Sequence, residues 1–411
     1  MFSLSITRNR AVIAFHSMMP KPRPRFRCPL SLCPFVPILL TAFSIQPTSA
    51  APPKNSNQIV AYVFPQTTQL QPGQIDPRLV TRINFAFANI QDGRMVLGHP
   101  DDAANVAFLT SLRHDNPNLT ILISVGGWLW SGGFTDAVLT EQSRQTFIQS
   151  ALDFLRQYHL DGLDIDWEYP GLPGAGHSFR PEDGKNFNIL LKELRAAFDR
   201  ESRNGARLYL TIAAGASDDF LDHTQMAVAQ RYLDTVNLMA YDYYEPGSGP
   251  LTGHHAPLFT NPADPIKISA DASVRAFEKA GVPANKLVLG VPFYGHMWGE
   301  VPDQNHGLYQ PGKPIPHAYA PFSQIESTML NQGFTRYWDP VSSVPWLYNA
   351  DTHVFVSYED PQSLIEKCRY IRDHKLGGIM FWNLANDDAN NTLLNAINSG
   401  LHSSASAGAK R

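Results

Sequence analysis

Cysteine is scarce: the 411 residues hold three, and two of them, Cys28 and Cys33, fall in the first fifty. Only Cys368 remains beyond that segment, so no internal disulfide can form there and stability must come from an apolar core. Acidic residues are missing from the first fifty positions, where the charges are Arg8, Arg10, Lys21, Arg23, Arg25 and Arg27. These precede an apolar run over 30–45 and then Pro47-Thr48-Ser49-Ala50. A basic start, an apolar stretch and a small-residue exit predict a secretory signal peptide over 1–50, cleaved near Ala50, and a secreted product. The run is short and broken by Pro34 and Pro37, which argues for a signal peptide over a membrane anchor. Without this leader the chain keeps 27 basic and 37 acidic residues, a net of −10. A basic patch is therefore lacking, and nucleic acid is not expected as a partner. His254-His255 and His296 invite a metal, but no third ligand is spaced near them, so neither metal nor cofactor is expected. A monomer is expected, and the small polar tail 403–411 reads as disordered.

What the chain does have is apolar material, 43% of its residues. Short apolar runs alternate with longer amphipathic stretches, the pattern of strands and helices in turn. Strands are expected at 59–64, 82–87, 120–125, 162–167, 209–213, 236–241, 288–292 and 378–382. Eight such strands predict a (β/α)8 TIM barrel within 51–402. Phe147, Ile148, Ala151, Leu152 and Leu155 stripe a helix over 141–158, and a second covers 186–199. Asp360-Pro361 reads as a cap and a first-turn proline, opening a helix that runs to His374. The alternation fails from 298 to 357, which is rich in Pro, Gly and aromatics. There a helix is expected over 322–332, and Tyr337-Trp338-Asp339-Pro340 with Val344-Pro345-Trp346-Leu347-Tyr348 reads as strand, turn and strand.

The densest signal is Asp161-Gly-Leu-Asp164-Ile-Asp166-Trp-Glu168-Tyr-Pro170. On a strand, positions two apart share a face, so Asp164, Asp166 and Glu168 line up while Ile165 and Trp167 face the other way. Like charges packed on one buried face cannot all ionise freely, and such a cost is tolerated mainly where protons are moved. Calcium loops want Gly and Asn/Asp at a longer spacing, and a solvated face does not alternate with Leu, Ile and Trp.

This run resembles the signature of family 18 glycoside hydrolases, the chitinases and their relatives. Ile123-Ser124-Val-Gly126-Gly127-Trp128 is similar to the family's Ser-x-Gly-Gly segment and Met239-Ala-Tyr241-Asp242 to its Met-x-Tyr-Asp. Gly290-Val-Pro292-Phe-Tyr294-Gly295 and Met380-Phe-Trp382 resemble its late-strand motifs. All occur in family order. The resemblance implies a small α+β insertion at 298–357, between strand 7 and helix 7, and chitin or chito-oligosaccharide as substrate. The α-carbons of Asp166 and Glu168 stand roughly 6.6 Å apart on a strand, which leaves an ordinary acid–nucleophile pair open. The resemblance instead implies substrate-assisted retention, in which the sugar's own acetamido group attacks.

On that resemblance Glu168 is the general acid/base, Asp166 orients the acetamido group, Asp164 shares a proton with Asp166, and Tyr241 holds the acetamido carbonyl. Trp382 floors the sugar, Met239 lines the pocket, Asp242 bonds sugar hydroxyls, and Trp128 stacks on sugar, with Tyr62 a weaker contact. Asp161 is a candidate contact or a structural hydrogen-bond partner. His296 stands where the family usually has Arg, and the first strand, Tyr62-Val63-Phe64-Pro65, lacks a Trp often found just beyond it.

Overall fold

The computed structural model describes residues 57–202 and 207–402; the expected signal peptide and tail lie outside these. Eight parallel strands form the barrel: β1 (Gln58–Val63), β2 (Arg82–Gln91), β3 (Thr120–Gly126), β4 (Gly162–Asp166), β5 (Tyr209–Gly215), β6 (Thr235–Met239), β7 (Leu287–Pro292) and β8 (Gly378–Trp382). Each pairs with the next, and β1 pairs with both β2 and β8, which closes the sheet. Closure removes every barrel edge, so each strand is buried over nearly its whole length.

Helices cover the outside. The helix Glu141–Tyr158 starts in a capping box between Thr140 and Ser143 and stops at His159, whose left-handed backbone (φ 52°) ends the run. Its five striped apolar residues are buried. Ile165 and Trp167 face this outer layer, Trp167 stacking on Phe134 at 5.1 Å and meeting Phe187 edge-on at 6.1 Å. That outward alternation leaves Asp164 and Asp166 to the barrel interior. Among the described residues no helix is long and apolar enough to cross a membrane.

The structure departs from the sequence reading after β2 and after β7, and β6 ends at Met239 where 241 was expected. β2 runs on past 87 and folds back against Arg94–Leu97, through Asp92-Gly93 at positive φ. Asp-Gly is a favoured two-residue hairpin turn, so the signal was there to be read. After β7 the chain builds an antiparallel five-stranded sheet in the order Lys313–Pro321, Tyr294–Gly299, Val354–Ser357, Val344–Asn349, Thr335–Asp339. It begins at Tyr294, not 298, because one residue, Phe293, separates it from β7. The strand Lys313–Pro321 is masked in sequence by Pro314 and Pro316; it lies at the sheet edge, where proline is tolerated. The helix expected over 322–332 stops at Thr328.

Candidate active site

A cleft of about 1140 Å³ opens at the C-terminal ends of the strands, where barrels of this kind place their chemistry. Of the residues singled out in sequence, Glu168, Asp166, Tyr241, Trp382, Met239, Asp242, Trp128 and Tyr62 line it. Asp164 lies one pleat deeper and is wholly buried.

Asp161 does not belong to this group. It sits at the opposite, N-terminal end of β4, where its carboxylate accepts from the Arg113 guanidinium (2.6 Å) and the Ile121 amide (2.7 Å). Its backbone donates to Ile121 O and accepts from the Tyr209 amide, both at 2.8 Å. It is a brace between β3, β4 and β5, not a sugar contact. Asp161→Asn should cost about 1–2 kcal/mol, the worth of a charge-assisted bond, and leave the pH–rate profile unchanged. Melting curves and pH–rate measurements on the variant check both halves; a shifted profile would return Asp161 to the site.

Backbone packing fixes the end of β4. Gly126 and Gly127 both have positive φ, and a Cβ on Gly126 would stand 2.2 Å from the Asp166 carbonyl. This close approach lets the Gly127 amide donate to Asp166 O at 2.7 Å. Ser131 then clamps the next turn: its hydroxyl accepts from the Glu168 amide at 2.9 Å and lies within donating distance of the Gly127 and Asp166 carbonyls. Nothing in the spacing of Trp130-Ser131-Gly132-Gly133 marked Ser131.

The three carboxyls have different surroundings. Asp164 accepts from four donors: Tyr62 Oη and Ser124 Oγ at 2.8 Å, Thr211 Oγ1 at 2.5 Å and Asn237 Nδ2 at 3.1 Å. Burial raises its carboxyl and these hydrogen bonds oppose the rise. Asp166 has no such support. Its Oδ1 is buried without a partner, and burial, then the charges of Glu168 and Asp164, push the carboxyl well above the usual range. Glu168, at the mouth, is pushed up to about 7 by burial and by the charges of Asp242 and Glu245, against the pull of Tyr169. Burial and mutual repulsion thus favour the protonated form of the outer pair, while fixed donors surround Asp164. Asn237 and Thr211 escaped notice in sequence, although a polar residue inside an apolar strand is a signal of a buried network.

Aromatic rings wall the cleft. Trp382 stacks on Phe87 at 5.5 Å and packs beside Phe64 and Tyr62 at 5.3 and 5.9 Å, so its orientation is fixed. Trp128 stands 50% exposed at the rim. Opposite, Asp242 Oδ1 accepts from Tyr294 Oη at 2.7 Å and lies 2.8 Å from His296 Nε2 and 3.6 Å from His255 Nδ1. Burial favours the neutral Asp242 carboxyl, but the two imidazoles outweigh it and hold Asp242 well below the usual range. Burial in turn pushes His255 down to about 4. The fold thus brings to His255 and His296 a carboxylate that their spacing in sequence does not show. His254, next in sequence to His255, turns away toward Asp339 at 3.3 Å.

A closed parallel barrel whose mouth carries a column of buried carboxyls, raised by burial, under aromatic walls fits a glycoside hydrolase. The chain belongs to the glycosyl hydrolases family 18, whose model matches residues 58–387. It is similar to Chitinase A1 of Niallia circulans, 35% identical over 438 residues that cover 90% of this chain and 62% of that protein. The chain thus spans less than two thirds of the length of that relative. Among solved structures, a family 18 N-acetylglucosaminidase from Paenibacillus barengoltzii is 40% identical, with a TM-score of 0.76 over 84% of this chain and all of that one. A class V chitinase from tobacco, solved with NAG4, is 29% identical, with a TM-score of 0.77 over 84% of this chain and 99% of that one.

Proposed function

We propose that this protein is a secreted chitinase that hydrolyses β-1,4-linked N-acetylglucosamine polymers with retention, using Glu168 as its general acid/base. The observation that carries the reading is the Glu168 carboxyl at the cleft mouth, pushed up to about 7, two residues from a buried Asp166 oxygen that lacks a partner. A carboxyl poised near neutrality can both give and take a proton at working pH. The free Asp166 oxygen suits the N–H of a 2-acetamido group.

In the first step Glu168 donates its proton to the glycosidic oxygen as the bond to C1 breaks. The acetamido carbonyl oxygen bonds to C1 and closes an oxazolinium ring. Asp166, sharing its proton with Asp164 one pleat below, accepts the acetamido N–H and as the carboxylate offsets the positive ring, while Tyr241 holds the carbonyl side. In the second step the Glu168 carboxylate takes a proton from water, whose oxygen bonds to C1 and reopens the ring. Trp382 lies under the sugar, Trp128 adds stacking surface at the rim, Met239 fills the pocket, and Asp242 bonds hydroxyls.

Because the nucleophile belongs to the substrate, acetylated chito-oligosaccharides should be cut, and fully deacetylated chitosan and cellulose should not. A thiazoline mimic of the oxazolinium should bind more tightly than substrate, as intermediate analogues do. Product analysis on the three polymers checks this; a sugar ester trapped on Asp166 would replace the mechanism with an enzyme nucleophile. The second reading is an endo-β-N-acetylglucosaminidase acting on N-glycans, or an enzyme acting on peptidoglycan. Product profiles on chitin oligomers, an N-glycoprotein and peptidoglycan separate these. A lectin that binds without cutting is disfavoured by the intact Glu168, Asp166 and Tyr241.

A further inference from the structure

We infer that Asp242, His255 and His296 form a binding site for one divalent cation of the Zn²⁺ class, set in a wall of the cleft. One ligand atom from each lies within 4.8 Å of the others. The two separations to Asp242 Oδ1, 2.8 and 3.6 Å, bracket the roughly 3.4 Å edge of a tetrahedron with metal bonds near 2.1 Å. Two imidazoles and a carboxylate are the donor set of hydrolytic zinc sites, and they leave a position open toward the cleft.

A second observation points the same way. His255 is wholly buried, its Nε2 has no hydrogen-bond partner, and its Nδ1 reaches only Asp242 Oδ1, at 3.6 Å, beyond hydrogen-bond length. A buried imidazole without a full-length hydrogen bond normally costs stability, and a cation would satisfy it. The ligands sit on rigid supports. His255 is held on both sides, its amide donating to Ser357 Oγ at 2.8 Å and its carbonyl accepting from the Tyr243 amide at 3.0 Å. His296 lies on the strand Tyr294–Gly299, in register with Ser357 and Tyr319. Tyr294 Oη on Asp242 orients the carboxylate, the outer-shell bond that metal ligands commonly keep. Glu245 Oε1, 4.0 Å from His296 Nε2 and exposed, is placed to swing in as a fourth ligand.

On the proposed chitinase reading, a cation here occupies the carboxylate meant for sugar hydroxyls, and the enzyme becomes sensitive to Zn²⁺ through substrate affinity. Calorimetric titration of the untagged chain with Zn²⁺ should show one equivalent bound and a raised melting temperature. Mg²⁺, which wants six oxygens, should give neither. His296→Gln, whose amide can still donate to Asp242, should weaken Zn²⁺ binding roughly 10- to 100-fold while keeping the melting temperature of the metal-free protein. His255→Gln should do the same to binding. A wild-type chain that takes up no Zn²⁺, or a His296→Gln chain that takes it up as tightly, overturns the site. Zn²⁺ should also raise KM for chito-oligosaccharides, reversibly with EDTA. Stoichiometric binding with KM unchanged supports the cation site and overturns the sugar contact assigned to Asp242.

Discussion

Glu168→Gln should leave the barrel folded and the cleft able to bind chito-oligosaccharides, and should abolish turnover. A general acid or base typically contributes roughly 10² to 10⁴ in rate. Glu168 serves in both steps, so the loss should exceed that range. A second readout comes from stability. The Glu168 carboxyl rises from an ordinary value of 4.5 to about 7 on folding, chiefly through burial. Between those values the folded chain keeps a proton that the unfolded chain has released, so the contribution of Glu168 to stability falls as pH rises from about 4.5 to 7. Glutamine cannot titrate, and the variant's melting temperature should lose that part of its pH slope. Single-turnover assays on unactivated oligomers and melting curves across this window test both. Residual hydrolysis near wild type would place the proton donor elsewhere.

The carboxyl run was legible because strand period and composition agreed: Asp164, Asp166 and Glu168 fall two apart and alternate with Ile165 and Trp167, which gives one charged face and one apolar face. The barrel was legible for a similar reason, since the neighbours of β4, β3 and β5, are short and largely apolar on both faces. What pattern does not contain is which distant residues meet. The donors to Asp164 come from β1, β3, β5 and β6, and only the parallel register that sets Ser124 and Thr211 beside it brings them together. Asp161 misled for the complementary reason. It shares the run's composition, but it precedes β4, and position along a barrel strand decides between the catalytic mouth and the stabilising floor. Asp242 and the two histidines were similarly hidden, being 13 and 54 residues apart in sequence and joined only through the second sheet.

Asp166→Asn should lower turnover by roughly 10² to 10³, the cost of removing one preorganised electrostatic contact from a developing charge. The amide keeps the shape and can still accept from the acetamido N–H through its oxygen, so the lost quantity is mainly charge. The pH profile should change with it. Asp166 and Glu168 repel, and each is raised in part by carboxylate neighbours. Taking away a negative group lowers the carboxyl beside it, so the basic limb, which reports loss of the Glu168 proton, should move to lower pH. Asp164→Asn separates charge from structure. An amide nitrogen there would face at least one of the four donors now serving the carboxylate, leaving buried donors unpaired at a cost of about 1–3 kcal/mol each. Its melting temperature should drop well below that of Asp166→Asn, whose carboxyl has an oxygen with no bond to lose. Rate profiles and melting curves for the two variants decide it: a profile unmoved in Asp166→Asn, or equal stability losses at both positions, would mean the two carboxyls do not divide the work between charge at the sugar and anchorage in the barrel.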